Sequence, residues 1–525
     1  MLQDVGRPAL LGPAVLLVGY LVYQFLYGGP KLPKLPIIGA RKGDWFPLIQ
    51  ARWRNLMDSK SGVIQAETEF KDQAVLFPVA GTGDIVMLPR AETQFVTDQP
   101  ETVLDMHAAV VESMQFMYTS ANPELISNPI HHKLITTTLT NQIGNLVPEV
   151  ADETAYCLDR DFGSPEDWTD VCIYKSMLLT IAGVTNRVFV GKPKCRDMHM
   201  LNQTLEYAHW LPIIGQLLRN TWKPLRPVFA WFLTIPIHRI TRAFHRSLLP
   251  EIKPRLVAYD ARREDPEAKS QLGPEPNDFL QWCIQQAKEM GDPYLWDSRT
   301  LANRILLVNF AALHTSSMAI TAVILELMAS KQAYIDELRA EIEGVLAEYG
   351  GEWNKRGLAR MEKLDSALRE SARLNSFVTV GLTRQVVPRD GITTPVSNLH
   401  LPQGATVAVP SYTVLRDAEL YPDPYEFKPF RFSAQRDDDS VDYVKRANKA
   451  WVATSKEYLA FGHGRTACPG RFFAANELKL ILAYFILNYD IEVTGPGSRP
   501  RNKWYGLIRI PPMEAKIRIR RRVKA

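Results

Sequence analysis

Paired cysteines are missing from this chain of 525 residues. Its five cysteines, Cys157, Cys172, Cys195, Cys283 and Cys468, are odd in number and widely spaced, with no C-x-x-C pair. That excludes a disulfide framework or a zinc site of the usual spacing and points to reducing surroundings. Charge of one sign is also scarce: a net +5 is small for this length, and much of it falls between Lys516 and Lys524. A locally basic surface fits that distribution better than a nucleic-acid-binding chain. Internal repeats and low-complexity tracts are absent. Glycine and proline are missing from Thr300 to Ala329, and formal charge from Ala9–Tyr27 and Ile305–Leu325.

What is present gathers near the C-terminus, in Phe461-Gly-His-Gly-Arg-Thr-Ala-Cys468-Pro-Gly-Arg-Phe-Phe473. Cys468 lies between a glycine-rich loop and an apolar helical pattern, with Pro469 expected at the first helical position. Unpaired N–H groups and the positive end of a helix dipole there favour the thiolate, the form that binds metal or attacks electrophiles. The plainer alternative is a buried small hydrophobe. Gly462, Gly464 and Gly470 let the backbone adopt positive φ or lie against something flat, so a large cofactor above the sulfur is expected.

The order Phe461, Gly464, Cys468, Gly470 resembles the Phe-x-x-Gly-x-Arg-x-Cys-x-Gly signature of the cytochrome P450 family. The resemblance implies haem b, with Cys468 as axial thiolate and metal ligand favouring O–O cleavage, and Phe461, Gly464 and Arg465 in the cofactor loop. The family usually places Arg or His two residues before the cysteine for a haem propionate; this chain has Thr466, with Arg465 one step earlier.

At the other end, the nineteen uncharged residues Ala9–Tyr27 are long enough to cross a bilayer. A cleaved signal peptide, a buried helix and an uncleaved anchor compete. Length, and Gly28-Gly29-Pro30 in place of a small-x-small cleavage site, favour the anchor. Asp4 and Arg7 precede it and Lys31, Lys34, Arg41 and Lys42 follow, so the body is expected in the cytosol. Pro30, Pro33 and Pro36 make a stiff connector. The expected organisation is an anchor over residues 1–28, a proline-rich hinge over 29–42 and a catalytic domain over 43–525. As in microsomal members, the implied location is the endoplasmic reticulum membrane.

Between Trp45 and Val96, Gln65–Phe70, Ala74–Val79 and Asp84–Leu88 read as strands, punctuated by Ser61-Gly62 and Gly81-Thr-Gly83. Asn128-Pro-Ile-His131-His-Lys133 opens a helix. The resemblance implies propionate contacts for His131 and for Lys133, since Thr136 stands where an Arg is usual; two surface histidines are the alternative. Asp167–Gly191 and Asn202–Ile235 read as helices, and Arg262–Pro276 as a surface loop. Trp210, Trp222, Phe229, Trp231 and Phe232, beside Arg219, Lys223 and Arg226, fit either core packing or a membrane-interfacial element.

Thr300–Ala329 reads as one helix of about 45 Å. Hydropathy alone would propose a second span, but His314-Thr315-Ser316-Ser317 puts four successive polar side chains in its middle, which lipid disfavours. The segment resembles the family's Ala-Gly-x-Asp/Glu-Thr-Thr helix. That implies room for dioxygen beside Ala311, Thr315 as the oxygen-activating threonine, and His314 in place of the usual acid, since imidazole also carries protons. A satisfied polar core cluster is the alternative. Glu370 and Arg373 share a helix face as an ordinary exposed pair would. Their spacing also matches the family's Glu-x-x-Arg, and Phe427-Lys-Pro429-Phe-Arg431-Phe432 its Pro-x-Arg-Phe, implying a buried triad of Glu370, Arg373 and Arg431. Val378–Thr383 reads as a strand, and Arg384 as a propionate clamp.

The expected fold is mainly α with small β-sheets, the cytochrome P450 fold with a long central helix over the haem. The expected activity is that of a fungal-type haem-thiolate monooxygenase acting on a lipophilic terpenoid or steroid-like metabolite. With no flavin or nicotinamide pattern after the cysteine loop, electrons are expected from an NADPH-cytochrome P450 reductase at the membrane. The expected partners are therefore that reductase, the membrane and the small-molecule substrate, without nucleic acid. The rivals are an isomerase or dehydratase of oxygenated lipids and a haem-thiolate ligand carrier.

Overall fold

Asp297 starts the longest helix among the described residues, its carboxylate accepting from the N–H groups of Arg299 and Thr300 at 2.9 and 3.0 Å. With no glycine or proline to interrupt it, the helix runs over Ser298–Met328. The computed structural model describes residues 30–265, 271–437 and 442–523 and the isolated positions 12, 15, 18 and 19. The expected anchor at Ala9–Tyr27 therefore lies almost wholly outside the described residues.

Helices Ile173–Phe189, Met198–Asn220, Ile235–Glu264, Glu362–Leu374 and Arg471–Asn488 pack around this central helix. It is the one helix among the described residues that is long and apolar enough to cross a membrane. It runs instead through protein: Ile305, Ile320, Val323, Ile324 and Leu325 are fully buried. Mid-helix, the side-chain amides of Asn309 and Asn186 exchange hydrogen bonds at 2.8 and 3.2 Å, satisfying polar groups that lipid would have left bare.

Small sheets flank the helices. A five-stranded sheet has the order Val75–Val79, Gly83–Met87, Thr406–Val409, Gly381–Val386, Leu104–Asp105, with one parallel pair, Gly83–Met87 against Thr406–Val409. A three-stranded sheet places Lys516–Arg521 between Thr169–Cys172 and Tyr489–Ile491. The hairpin Lys503–Tyr505 and Ile508–Ile510 turns at Gly506.

Several expectations need correction. Gln65–Phe70 is not a strand but the end of the helix Ser59–Phe70, capped by Asp58. Ser61-Gly62 is no turn: Gly62 lies within that helix because a Cβ there would come within 2.7 Å of Asn55 Oδ1 and 2.9 Å of the Phe77 ring. Thr169–Cys172, expected as helix, pairs with the C-terminal strand. Residues 262–264, expected as loop, continue the helix Ile235–Glu264. The strand expected over Val378–Thr383 is shifted to Gly381–Val386.

Candidate active site

The cysteine loop closes on itself: the Cys468 N–H donates to the Phe461 carbonyl at 2.8 Å. Gly462 and Gly464 take φ of +71° and +73°, and at Gly464 a Cβ would also press on Thr97 at 3.1 Å. Pro469 is not the first helical residue. The helix begins at Arg471 with Gly470 as its cap, so Pro469 lies one residue outside, and the Gly470 and Arg471 N–H groups reach the sulfur. Burial nevertheless pushes the Cys468 thiol up, outweighing these N–H groups and the Arg471 guanidinium.

Across from the sulfur lies the central helix. Ala311, Thr315, Ala319 and Ala322 follow one another three or four residues apart, and together with Cys468, Phe461, Ala474 and Leu478 they line a cavity of about 270 Å³. The Thr315 hydroxyl donates to the carbonyls of Ala311 and Ala312 at 2.9 and 3.2 Å. His314 does not share this wall. One residue along a helix turns a side chain by about 100°, and its Nδ1 meets the Tyr174 hydroxyl at 3.1 Å on another face of the helix. Burial holds its pKa below the ordinary histidine value, with His209 adding to the effect.

Glu370 and Arg373 are both fully buried, so the exposed-pair alternative fails. Arg373 Nε and Nη2 donate to the two Glu370 oxygens at 2.8 Å each, and Arg431 Nε donates to Glu370 Oε1 at 3.0 Å. The remaining guanidinium N–H groups go to backbone carbonyls of Leu415, Pro424, Pro422 and Asp423. The three side chains thereby pin the segment 415–431 to the helix Glu362–Leu374.

The expected propionate contacts are scattered. Arg384 is buried and donates to the Thr466 hydroxyl and to the Thr383 carbonyl. Leu382, at φ +53°, and a register shift between Gly381 and Arg384 mark a bulge just before it, a device that re-aims a side chain. His131 Nδ1 instead accepts from Arg304 Nη1 at 3.0 Å, and burial with that cation pulls its pKa down to about 3. It is therefore neutral near pH 7 and turned toward the central helix, not a cation facing the cavity. Lys133 and Arg465 are exposed and, with Gly464, stand outside the cavity wall.

Glu477 was not expected. It lies nine residues after Cys468 on the helix Arg471–Asn488 and is fully buried. Its Oε1 accepts from the Thr185 hydroxyl at 2.7 Å. No bond satisfies Oε2, although the Ser316 hydroxyl is near enough to favour the charged form. Burial dominates and raises its pKa to about 7. Ser316 itself lines the cavity, so a titratable carboxyl stands one hydroxyl away from it. The signal was legible: Glu477 precedes Ile481 and Phe485 by four and eight residues, on the stripe that enters the core.

The walls fit a flat apolar cofactor held by sulfur. A thiol faces small alanine side chains, and two buried donors in the wall, Trp451 Nε1 and Ser371 Oγ, have no partner among the described residues. A sequence model of the cytochrome P450 family matches residues 119–517. Among curated proteins, the chain is 29% identical to the cytochrome P450 monooxygenase pbrC of Penicillium brasilianum, covering 99% of this chain and 96% of that one. It is 31% identical to gloP of Glarea lozoyensis over 91% and 89% of the two chains, and 33% identical to monooxygenase 110 of Postia placenta over 81% of each. Among solved structures, the retinoic-acid-bound cyanobacterial CYP120A1 superposes with a TM-score of 0.64 at 18% identity, covering 93% of this chain and all of the other.

Proposed function

The chain belongs to the cytochrome P450 family and is a haem-dependent monooxygenase, and from that premise we propose that Cys468 is its axial ligand and Thr315 its principal catalytic side chain. The observation that carries this is the single cavity wall pairing: Cys468 on one side, Ala311 and Thr315 on the other. Bound haem supplies reductive activation of dioxygen, one atom going to substrate and the other to water.

The chain's own residues do the rest. The N–H groups of Gly470 and Arg471 orient the sulfur and support its negative charge. Arg384 would hold a carboxylate of the cofactor, its cation made expensive by burial and better served by an anion. The small side chains of Ala311 and Ala319 leave room above the cofactor, and the Thr315 hydroxyl, bonded only to its own helix, is free to turn and pass a proton. Glu477 supplies protons to that wall through Ser316, because His314 faces away.

The substrate proposed is a lipophilic terpenoid or steroid-like metabolite, supported by the apolar wall and by the fungal monooxygenases among the relatives. The electron donor proposed is an NADPH-dependent reductase, docking an acidic face on the cysteine side, where Arg465 is exposed. Attachment to the endoplasmic reticulum membrane is proposed through the N-terminal segment and through a surface element: Val228, Phe229, Trp231 and Phe232, on the short helix Arg226–Leu233, stand 47–72% exposed. Such an aromatic face beside basic residues suits the bilayer interface.

The test is spectroscopic first. The reduced protein should give the red-shifted carbon monoxide band of a thiolate-ligated haem, and Cys468→Ser should lose it. Membranes carrying the reductase should then consume oxygen and NADPH together when a bound lipophile shifts the spin state. Turnover of a peroxide substrate with no reductant would instead favour the isomerase reading.

A further inference from the structure

The helix Ile235–Glu264 begins where the exposed aromatic helix Arg226–Leu233 ends. Along its next turns His238, Arg242, Arg246, Leu249 and Lys253 follow at intervals of four, four, three and four residues, so they share one face. That face, with Arg299 and Asn303 of the central helix, lines a groove of about 690 Å³. No Asp or Glu is among the lining residues.

The cations in this groove are uncompensated. Elsewhere many arginines are answered by a carboxylate, among them Arg52 by Asp84, Arg196 by Glu153, Arg255 by Asp278 and Arg339 by Asp490. Arg242, Arg246, Lys253 and Arg299 form no ion pair among the described residues. The Asp297 carboxylate, which acts on His245 from outside the lining, accepts from the backbone N–H groups of Arg299 and Thr300 at the start of the central helix. Two neutral groups complete the site. Thr241 lies in the wall at 5% exposure with a hydroxyl that has no hydrogen-bond partner among the described residues. His245 Nε2 meets Asn303 Oδ1 at 2.8 Å, which leaves the Asn303 amide N–H groups to face the groove. Four cations, an orphan hydroxyl and an amide donor, with no carboxylate in the lining, constitute a site for a phosphate group.

We propose that this groove binds the phosphate headgroup of an anionic phospholipid. The choice of a lipid over a soluble phosphate rests on the membrane reading above and on continuity. His238 stands five residues beyond Leu233, so the basic face starts at the edge of the exposed Phe229, Trp231 and Phe232. Its length, fifteen residues from His238 to Lys253, is about 22 Å at ~1.5 Å per residue. Headgroups gathered there would hold the helix Ile235–Glu264 against the bilayer beside the aromatic face.

The test uses the full chain in neutral-detergent micelles, so that neither the N-terminal segment nor bilayer docking decides the outcome. Short-chain phosphatidic acid, short-chain phosphatidylcholine and inorganic phosphate are titrated in turn by calorimetry. Phosphatidic acid should bind and phosphatidylcholine should not. The double variant Arg242→Gln, Arg246→Gln should weaken that binding about 30-fold, roughly fivefold for each cation lost. Arg518→Gln with Arg520→Gln, on the C-terminal strand, should leave it unchanged. An intact carbon monoxide band shows that each variant is folded. Equal binding of the two lipids, or equal loss in the two double variants, overturns the site. Inorganic phosphate binding as tightly as phosphatidic acid overturns the lipid as its occupant. Failure of the aromatic face to dock on phosphatidylcholine bilayers is a separate result that refutes the membrane reading alone.

Discussion

The guanidinium of Arg384 donates to the hydroxyl of Thr466, tying the strand Gly381–Val386 to the cysteine loop two residues before Cys468. The cysteine-loop signature that this chain resembles has a basic residue at the position of Thr466. Here a cation reaches the same point from another part of the chain, so the charge is kept while its origin moves.

Arg384→Ala should therefore weaken cofactor retention. Loss of one charge-assisted contact is worth about 2 kcal/mol, or roughly 30-fold in affinity. The rate at which haem passes to apomyoglobin measures this, and Thr466→Val should change it far less. Equal rates for Arg384→Ala and the parent chain would exclude the clamp.

Glu370→Gln leaves Arg373 and Arg431 buried without their counter-charge. Breaking such a group costs about 3–5 kcal/mol, so urea unfolding should shift to much lower midpoints and holoprotein yield should fall. A variant unfolding within about 1 kcal/mol of the parent would show that the segment 415–431 is held by other contacts.

Glu477 links stability to pH. Its pKa is raised from the carboxylate value of 4.5 to about 7, so between those values the folded chain binds more protons than the unfolded one. Stability from this group is present in full below about pH 4.5 and is lost as pH rises through about 7, by about 3 kcal/mol in total. Relative to the parent, Glu477→Gln should gain stability by that amount across the same window. Denaturation curves recorded at a series of pH values would reveal it, and a constant difference would refute the assignment.

Thr315→Ala should uncouple the reaction, lowering product formed per NADPH roughly tenfold or more while oxygen consumption continues. Peroxide should accumulate to match. His314→Phe removes the contacts to the Tyr174 hydroxyl and the Ala208 backbone, costing about 1–2 kcal/mol of stability with coupling nearly unchanged. Product and peroxide assays on the two variants side by side distinguish them; strong uncoupling by His314→Phe would restore that residue to the proton path.

Trp231→Ser with Phe232→Ser should reduce binding of the protein to phosphatidylcholine vesicles. Two large side chains leaving the interface remove about 3 kcal/mol or more, read in a flotation assay on chains lacking residues 1–28. Unchanged flotation would confine membrane attachment to the N-terminal segment.

Much of this protein is determined by the sequence itself. The central helix needs no tertiary help to be recognised, because an uninterrupted run capped by Asp297 has nowhere else to place its backbone hydrogen bonds. Cys468 among Gly462, Gly464 and Gly470 is equally local: positive φ and a helix start are properties of neighbouring residues. Direction and burial are different, since they depend on what arrives from far away. Whether Glu370 and Arg373 are exposed depends on Arg431 and on carbonyls some fifty residues distant. His314 was read from its chemistry but faces Tyr174, 140 residues earlier in the chain. Gly62 looked like a turn and is a close contact, because Phe77 and Asn55 lie against it. Local periodicity decides which elements form; only long-range packing decides which side chains lose water, and hence which acids, thiols and guanidiniums are shifted enough to act.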